Sequence, residues 1–503
     1  MKVLLVGSGG REHALAKLIT SSQMSAKLYV LSDYANPGLM REAELSGGKL
    51  FVATTTFPEN VVKIAELVSP DLVVVGPEEP QFHGVVDYLR ERGFYAFGAS
   101  RRCSSIERSK VFARYLMWKH SIPGRLYYVA FKSLDDAREF VKYAGDVVVK
   151  PARQVGGKGV RVIKDTKAFL SEAKHQVKSE AAFKTFEEIS KYGDVDYSVL
   201  VEQRVDGVEY TAQVVTDGSY VLPLPLVQDH PHAYELDLGY ETGGMGCISG
   251  PGHLLPFIDQ GEYETTQKIV REVLERLQEE VKERYTGAFA GQMMLTGLWG
   301  PTAIEYYSRF GDPEISCLLP RVESDFLEVL DRAARGALSG AKVGVSDEVV
   351  SVVKAVAPVG YPVSRDEARG HPVTVDVEKI RGLGCEVLYA SVELGSDGRT
   401  YTKGSRAFEV VCSASSYEEA HRVSELAVSY VTSLDGWPLY HRSDVGSSEL
   451  VEERIREAER VRRVYRSKHL RGTLGEFFTV WLPGRGVVGN PLLSPLRWED
   501  EDS

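Results

Sequence analysis

Short apolar runs alternate with amphipathic segments through the first hundred residues of the chain. The run KVLLV at 2–6 ends in glycines and is followed by REHALAKLI, whose apolar residues recur at helical spacing. The same order continues through KLYVLS, PENVVKIAELVS, PDLVVVG, GVVDYLRERG and FYAFGAS. Because strands that take turns with helices usually pair in parallel, this pattern predicts a parallel sheet covered by helices, closing near residue 100.

The following segments predict a second α/β region. A helix is predicted over residues 101–125, and a smaller α/β lobe over 126–215. Residues 219–330 contain the strand pair FAGQMMLTG and TAIEYYSRF, a helix near 258–284, and a polar segment, 228–254, that we expect to be a long loop.

The last third of the chain predicts another unit and a tail. Residues 345–445 carry further strands and the helical segment SYEEAHRVSELAVSYVTS. A charged amphipathic helix is predicted over 448–469, and the rest is rich in Gly, Pro and Arg before it turns acidic. This helix is interpreted as a solvated terminal helix, with docking to a partner as the alternative.

Length and charge restrict the function classes. The chain has 503 residues, too many for one compact core, so two to four domains are expected. The net charge of −11 argues against nucleic acid as the main partner, because phosphate backbones require a basic field. There is no apolar run of about 18 residues, so no membrane span is expected, and the first residues do not have the layout of a signal peptide.

The five cysteines are far apart in the sequence. They form no CxxC pair, which argues against a zinc site or a redox motif, and their odd number is typical of a reducing compartment.

Two glycine-containing turns follow predicted parallel strands. GSGGREH at 7–13 opens a helix, whose free backbone N–H groups and positive dipole end suit an anion. The spacing is not GxGxxG, and a tight turn without a ligand is the alternative. GPEEP at 76–80 ends another strand, where ligands of parallel sheets bind, although a plain turn with an exposed acid pair would look the same.

The segment VVVKPARQVGGKGV combines two lysines with a glycine loop. Lys150 ends a predicted strand and Lys158 lies in the loop, so both could neutralise a triphosphate wrapped by glycine N–H groups. The segment is not a P-loop, and a hairpin with exposed lysines is the alternative. Further on, Glu202 and Glu209 flank a short connection that could offer contacts to adenine and ribose.

The polar segment QDHPHAYELDLGYETGGMG is long enough to be functional. His230 and His232 have strand-like spacing, but surface or substrate-contacting histidines are favoured over a metal site.

The stretch IEYYSRFGDPE at 304–314 predicts a polar corner. Magnesium prefers oxygen ligands, which Glu305 and Gln292 on the preceding strand could supply. Arg309 could stabilise a transferring phosphoryl group, whereas Tyr307, on the same face as Glu305, is a poor magnesium ligand. A salt-bridged turn is the alternative.

Seven segments, in their order along the chain, resemble the phosphoribosylamine–glycine ligase family. They are VGSGGREHALA, GPEEP, IERSKVFARYLMWKHSIP, VVVKPARQVGGKGV, QDHPHAY, TGGMG and RFGDPE. SRAFEVV and YHRSDVG resemble its C-terminal domain, so the resemblance covers about residues 1–446. It implies an ATP-grasp enzyme of purine biosynthesis that uses ATP with magnesium or manganese. ATP would phosphorylate glycine, and phosphoribosylamine would attack the acyl phosphate.

The resemblance also implies an α/β architecture with four regions. These are an N-terminal parallel-sheet domain (1–103), a two-lobed ATP-grasp domain (104–335, with its small lobe at about 125–200), a smaller α+β C-terminal domain (340–446) and a helical extension with a tail (447–503). The implied enzyme is cytoplasmic, a monomer or weak homodimer, and its partners are small substrates rather than nucleic acid or membranes.

Matching positions imply the site residues. The proposed catalytic residues are Arg309, Asp229 and Lys158, and the metal ligands are Gln292 and Glu305. The ATP contacts are Lys110, Lys150, Gly156, Gly157, Lys158, Glu202, Val205 and Glu209. The substrate contacts are Gly9, Arg11, Glu12, Pro77, Glu78, Gly243, Gly244 and Gly246.

Three departures from the family pattern bear on activity. Tyr307 stands where the family usually has an asparagine metal ligand, GYETGGMG replaces GPNTGGMG, and Arg153-Gln154-Val155 replaces a small apolar segment. We expect metal binding to persist through Gln292, Glu305, phosphates and water, with help from Glu241. The alternatives are a nucleotide-binding paralogue without ligase activity and an ATP-grasp ligase for another carboxylate.

Overall fold

The computed structural model describes residues 1–133, 135–137, 140–141, 147–154, 161–163, 196–472, 474, 480–482 and 486–488. The chain forms two compact units. The first consists of residues 1–105, 209–292 and 306–456, and the second of residues 106–208, 293–305 and 457–503. Within the described ranges, no helix is both long and apolar enough to cross a membrane.

The first unit begins with the predicted parallel sheet. Its five strands lie in the order β3-β2-β1-β4-β5, and β1 and β4 are almost wholly buried because helices cover both faces. The strands are β1 Lys2–Val6, β2 Lys27–Ser32, β3 Lys49–Val52, β4 Leu72–Val75 and β5 Ala96–Phe97. The helices are α1 Gly10–Thr20, α2 Pro37–Leu45, α3 Pro58–Val68, α4 Glu78–Phe82 and α5 Val85–Glu91.

The helix predicted over 101–125 is divided in two. The segments are α6 Ser105–Arg108 and α7 Lys110–Lys119. Ser109 between them is extended, and its hydroxyl accepts the N–H of Phe112 at 3.2 Å, so it caps α7 instead of continuing a helix.

The small lobe of the second unit is a four-stranded sheet in the order β6-β9-β7-β8. Its strands are β6 Tyr128–Phe131, β7 Val147–Pro151, β8 Arg161–Ile163 and β9 Val199–Gln203. Strands β7 and β8, the two strands predicted on either side of the glycine loop, pair antiparallel.

The remaining strands complete one large sheet and several small ones. They are β10 Gly207–Thr216, β11 Val221–Pro223, β12 Val227–Asp229, β13 His232–Tyr234, β14 Leu238–Glu241, β15 Gly246–Ser249, β16 Gly287–Thr296, β17 Gly300–Tyr307, β18 Val350–Pro358, β19 Arg369–Val375, β20 Glu386–Tyr389, β21 Val392–Leu394, β22 Thr400–Lys403, β23 Phe408–Ala414, β24 Val431–Ser433, β25 Leu439–Tyr440, β26 Val480–Leu482 and β27 Gly486–Val488. The large sheet runs β17-β16-β10-β12-β15-β18-β23-β20, with β11 and β25 pairing beside this path. The others are β13-β14, β21-β22-β19-β24 and β26-β27.

The later helices are α8 Gln260–Val281, α9 Glu314–Leu318, α10 Phe326–Ala334, α11 Val377–Gly382, α12 Tyr417–Val428 and α13 Ser448–Leu470. Three of them, α8, α12 and α13, lie where helices were predicted, whereas α9, α10 and α11 were not predicted. The segment predicted as one helix over 416–433 stops at Val428, because Val431–Ser433 pairs with β19 as strand β24.

The polar segment 228–254 is not the loop we expected. Strands β12 and β15 pair antiparallel inside the large sheet, and between them β13 and β14 form a hairpin. Strand β12 pairs with β10, and β15 pairs with β18. Because these neighbours come from other parts of the chain, the composition of the polar segment by itself does not indicate strands.

The C-terminal helix α13 is not simply solvated. From its middle onward, Ala458 is fully buried and Val461 is 5% exposed. This part of the helix packs on the β16–β17 turn, where a methyl group at Gly297 would lie 2.8 Å from the Val464 side chain. Helix α13 therefore docks within its own chain.

One cysteine pair forms a disulfide. Cys385 and Cys412, separated by 27 positions, are joined beside the paired strands β20 and β23, while Cys103, Cys247 and Cys317 are free and buried. The odd number of cysteines gave no sign of this pairing, which the tertiary structure alone creates.

Candidate active site

Two lysines of the second unit converge on one carboxylate. Lys110, at the start of α7, lies 2.7 Å from Glu305 on β17, and Lys150 on β7 lies 3.5 Å from the same side chain. Burial alone would raise the pKa of Glu305, but the two ammonium groups lower it to about 2. Lys150 is 4% exposed, so the alternative of a hairpin with exposed lysines is wrong for this residue. The cluster concentrates positive charge beside an ionised carboxylate.

A second carboxylate fixes Lys150 from the other side. Glu202 on β9 lies 3.0 Å from the Lys150 ammonium and accepts a short hydrogen bond from Arg114. Burial opposes both charges, yet Arg114 and Lys150 lower the pKa of Glu202, and Glu202 and Glu305 raise the pKa of Lys150. The Glu202 carboxylate is already paired with Lys150 and Arg114. Contacts from Glu202 to a nucleotide would therefore come mainly from its backbone N–H and carbonyl groups.

Sequence reasoning missed Arg114. Its guanidinium also donates to the carbonyls of Ala303 at 2.8 Å and Ile304 at 2.6 Å, so it joins α7 to β9 and to the strand that carries Glu305. A helical arginine four residues after Lys110 gives no signal of this role, since its partners are distant in sequence.

The other predicted ATP contacts are distributed as follows. Val205 lies half-buried in the connection between β9 and β10. Gly156, Gly157 and Lys158 fall outside the described residues. Gln154, one of the departures from the family pattern, is buried, and its side-chain amide donates to Glu305 at 3.4 Å.

Gln292 and Glu209 belong to the first unit. The amide nitrogen of Gln292 on β16 donates to Glu209 on β10 at 3.2 Å, and its oxygen accepts from the Thr211 hydroxyl at 2.7 Å. The side chains of Gln292 and Glu209 are therefore in direct contact across the adjacent strands β16 and β10.

The GSGGREH turn is closed by its own acid. Gly9 caps α1, and the Glu12 carboxylate accepts the Gly9 N–H at 2.7 Å and approaches Arg11 to 2.6 Å. A carboxylate thus occupies the helix terminus that we expected to suit an anion, because Glu12 satisfies the backbone N–H of Gly9. Pro77 holds the equivalent position before α4, which begins at Glu78.

Two arginines share Glu78. Nε of Arg309 lies 3.3 Å from its carboxylate, and Nη1 of Arg11 lies 3.7 Å away. Burial acts to raise the pKa of Glu78, but the charges of Arg309 and Arg11 lower it. The arginine of RFGDPE therefore pairs with the acid of GPEEP. These two motifs, at 309–314 and 76–80, are far apart in the sequence.

Asp229 faces the TGGMG turn. Gly244 has a φ of +103°, and a Cβ there would lie 2.4 Å from the Asp229 carboxylate, so glycine allows this approach. Burial, followed by the charge of Glu314, raises the pKa of Asp229 well above its usual value. Burial therefore favours the neutral form of this carboxyl group.

Arg406 organises the same corner and was not predicted. Its Nη1 donates to the carbonyls of Gly243 at 2.7 Å, Gly244 at 2.8 Å and Asp312 at 2.8 Å. Arg406 also lies 3.2 Å from the Asp312 carboxylate. The segment SRAFEVV, quoted above only as a resemblance, contains this arginine.

Two members of the polar segment have structural roles. Gly246 pairs with Lys354 where β15 meets β18. His230 is 1% exposed, and burial followed by the charges of Arg442 and Arg454 lowers its pKa to about 3. Across the described residues there is no cluster of three or more His, Cys, Asp or Glu side chains fit for a metal ion.

The available donors can be tested against magnesium chemistry. Glu305 keeps an ionised carboxylate, and Gln292 presents an amide oxygen, both hard ligands of the kind that Mg²⁺ and Mn²⁺ prefer. Each of the two side chains, Glu305 in the second unit and Gln292 in the first, is therefore chemically suited to such a cation.

Solved structures share this architecture. Phosphoribosylamine–glycine ligase from Thermotoga maritima aligns with a TM-score of 0.67 and 23% identity, covering 88% of this chain and all of that one. The biotin carboxylase domain of 2-oxoglutarate carboxylase from Hydrogenobacter thermophilus, a complex with MgADP, ADP and bicarbonate, aligns with a TM-score of 0.61 and 14% identity over 95% of this chain and 99% of that one. These likenesses show the fold, and a family model of an ATP-grasp domain that matches residues 108–315 makes the chain a member of the ATP-grasp class.

Family models identify the particular branch. The phosphoribosylglycinamide synthetase N domain matches residues 1–107, the ATP-grasp (A) domain residues 108–315, and the C domain residues 351–448. The chain therefore belongs to the phosphoribosylglycinamide synthetase family.

Curated relatives agree. Phosphoribosylamine–glycine ligase of Pyrococcus horikoshii is 41% identical over 460 residues, which are 90% of this chain and 97% of that protein. The ligase of Methanopyrus kandleri is 41% identical over 464 residues, 92% of this chain and 99% of its own length. The similarity extends over nearly the whole of both proteins.

Proposed function

We infer that the chain is an ATP-dependent ligase that joins glycine to 5-phosphoribosylamine in purine biosynthesis. The observation that carries this conclusion is the match of all three family models, in order, along a chain similar to named ligases over about 90% of its length. The comparisons favour neither an inactive paralogue nor a ligase for another carboxylate.

The proposed reaction proceeds through glycyl phosphate. An oxygen of the glycine carboxylate takes the γ-phosphoryl group and ADP leaves; the amine of phosphoribosylamine then attacks the acyl carbon and phosphate leaves. The products are glycinamide ribonucleotide, ADP and phosphate. Activation of the carboxylate replaces one difficult step by two easier ones.

We assign the ATP phosphates to Lys110 and Lys150, whose convergence on Glu305 supports this assignment. Lys158, Gly156 and Gly157 complete the proposed phosphate contacts, and Glu202, Val205 and Glu209 are assigned to adenine and ribose. Ammonium groups held in place before the substrate binds stabilise developing phosphate charge without further reorganisation.

We propose Gln292 and Glu305 as the ligands of Mg²⁺ or Mn²⁺. When bound, the cation would neutralise charge on the transferring phosphoryl group. The ionised carboxylate of Glu305 and the oxygen of Gln292 support this proposal.

The substrates are assigned to the first unit. Arg309 is proposed to meet the transferring phosphate, and Asp229 to accept the proton of the attacking amine, which its buried position beside Gly244 supports. The glycine and phosphoribosylamine positions are proposed to be lined by Gly9, Arg11, Glu12, Pro77, Glu78, Gly243, Gly244 and Gly246.

The pathway suggests a cytoplasmic enzyme. We propose a monomer or weak homodimer, which size-exclusion chromatography would check.

The decisive experiment is phosphate release from MgATP by the purified protein. Glycine alone, freshly prepared phosphoribosylamine alone, and both together are compared. We expect release only with both. Retained ATP binding without release would support the inactive paralogue, and release with another carboxylate in place of glycine would support a different ligase.

A further inference from the structure

Tyr307 contacts the arginine that follows it. The centre of the Arg309 guanidinium lies 4.4 Å from the centroid of the Tyr307 ring. The neighbouring Tyr306 is 2% exposed and stacks on Phe289 with ring centroids 5.5 Å apart. Because side chains alternate along β17, Tyr307 is directed to the opposite face, where it is half-buried.

The Arg309 guanidinium is also held at its edges. Its Nε lies 3.3 Å from Glu78, and its Nη1 donates to the carbonyl of Phe310 at 3.2 Å. The Arg309 side chain is 12% exposed. A carboxylate, a carbonyl and an aromatic face therefore define the plane of the group.

An aromatic support differs chemically from a polar one. The ring attracts a cation through its quadrupole and leaves the in-plane N–H groups to other acceptors, whereas an amide or carboxylate would use some of them. It also adds no negative charge that would repel phosphate. The attraction increases where water is excluded, as around this half-buried ring.

We propose that Tyr307 is a positioning residue whose ring holds the Arg309 guanidinium in the orientation that meets the transferring phosphate. This inference rests on the proposed function, because it takes the phosphate contact of Arg309 from there. It gives Tyr307 a role on the phosphate side of the reaction and none as a metal ligand.

A double-mutant cycle tests the coupling. Tyr307→Leu keeps apolar bulk and removes the ring, and Arg309→Met removes the cation. We expect Tyr307→Leu to lower kcat/KM for ligation roughly threefold to thirtyfold in the wild-type background, the range of one partly buried cation–π contact. In the Arg309→Met background the same change should have almost no effect, because there is no cation left to orient.

Two further variants separate the ring from general structure. Tyr307→Phe, which keeps the ring, should recover most of the activity that Tyr307→Leu loses. The matched control is Tyr95→Leu, since Arg335 lies 4.0 Å from the 47% exposed Tyr95 ring in the same unit, outside the proposed site. This control should leave kcat/KM unchanged.

Three results would overturn the inference. They are equal losses in Tyr307→Phe and Tyr307→Leu, a Tyr307→Leu loss that persists undiminished beside Arg309→Met, and no loss in Tyr307→Leu. If the wild type forms no product, the proposed function fails by itself. The same four-member cycle is then measured as calorimetric affinity for inorganic phosphate, where the same coupling is expected and independent effects would refute the role of Tyr307.

Discussion

Replacing Arg114 by methionine should loosen the part of the second unit that holds Lys110 and Lys150. The change keeps an unbranched apolar stem and removes the donors to Glu202, Ala303 and Ile304. The buried carbonyl of Ala303 and the partly buried carbonyl of Ile304 then lack this donor, at a cost of about 1–3 kcal/mol each. Glu202 keeps Lys150 at 3.0 Å, so its loss is smaller than for a carboxylate left alone. We expect a net loss of about 3 kcal/mol, because desolvation of the arginine is relieved at the same time.

Hydrogen exchange measured on peptides from α7 and β17 is the suitable assay. A local loss of about 3 kcal/mol corresponds to a decrease in protection of roughly a hundredfold. The matched control is Arg460→Met in α13, whose 68% exposed side chain pairs with Glu457 at 3.7 Å and should contribute little. Unchanged protection in Arg114→Met, or an equal decrease in Arg460→Met, would refute the reasoning.

Three further predictions concern Glu305 and Arg406. Glu305→Gln should lower kcat about a hundredfold and alter the magnesium dependence of phosphate release, and an unchanged rate and metal titration would contradict its assignment. Because neighbouring lysines lower the folded pKa of Glu305 from 4.5 to about 2, its charge contributes about 3 kcal/mol of stability above about pH 5 that is lost as the pH falls towards 2. Urea unfolding of wild type and Glu305→Gln should therefore converge in acid, and a pH-independent difference would contradict the lowered pKa. Arg406→Lys lacks the planar guanidinium that reaches three carbonyls with one nitrogen and the Asp312 carboxylate with another. It should raise KM for glycine or phosphoribosylamine about tenfold or more while changing KM for ATP much less; equal changes in both would argue against a substrate-side role.

The sequence indicated the role of the GSGGREH turn only in part and did not indicate the role of Arg406. The GSGGREH turn indicated an anion site, but in the structure Glu12 accepts the Gly9 N–H itself. Motif reasoning cannot decide between a ligand and a neighbouring acid, because both satisfy the same backbone donor. Arg406 was overlooked for a related reason, since its three carbonyl partners belong to segments at least 94 residues away in the sequence.

The sequence by itself determined the N-terminal parallel sheet, most of the helices and the family of the chain. These follow from patterns within ten to twenty residues, because strand and helix repeats recur over that length, and from motifs whose order is retained. The tertiary structure alone decided that Ser109 interrupts a helix, that the polar segment after Gln228 becomes sheet, and that Glu202 serves Lys150 and Arg114. It also decided that Tyr307 supports Arg309. Burial and pairing depend on which groups, distant in sequence, come together in a low-dielectric interior. Local sequence patterns do not specify those contacts.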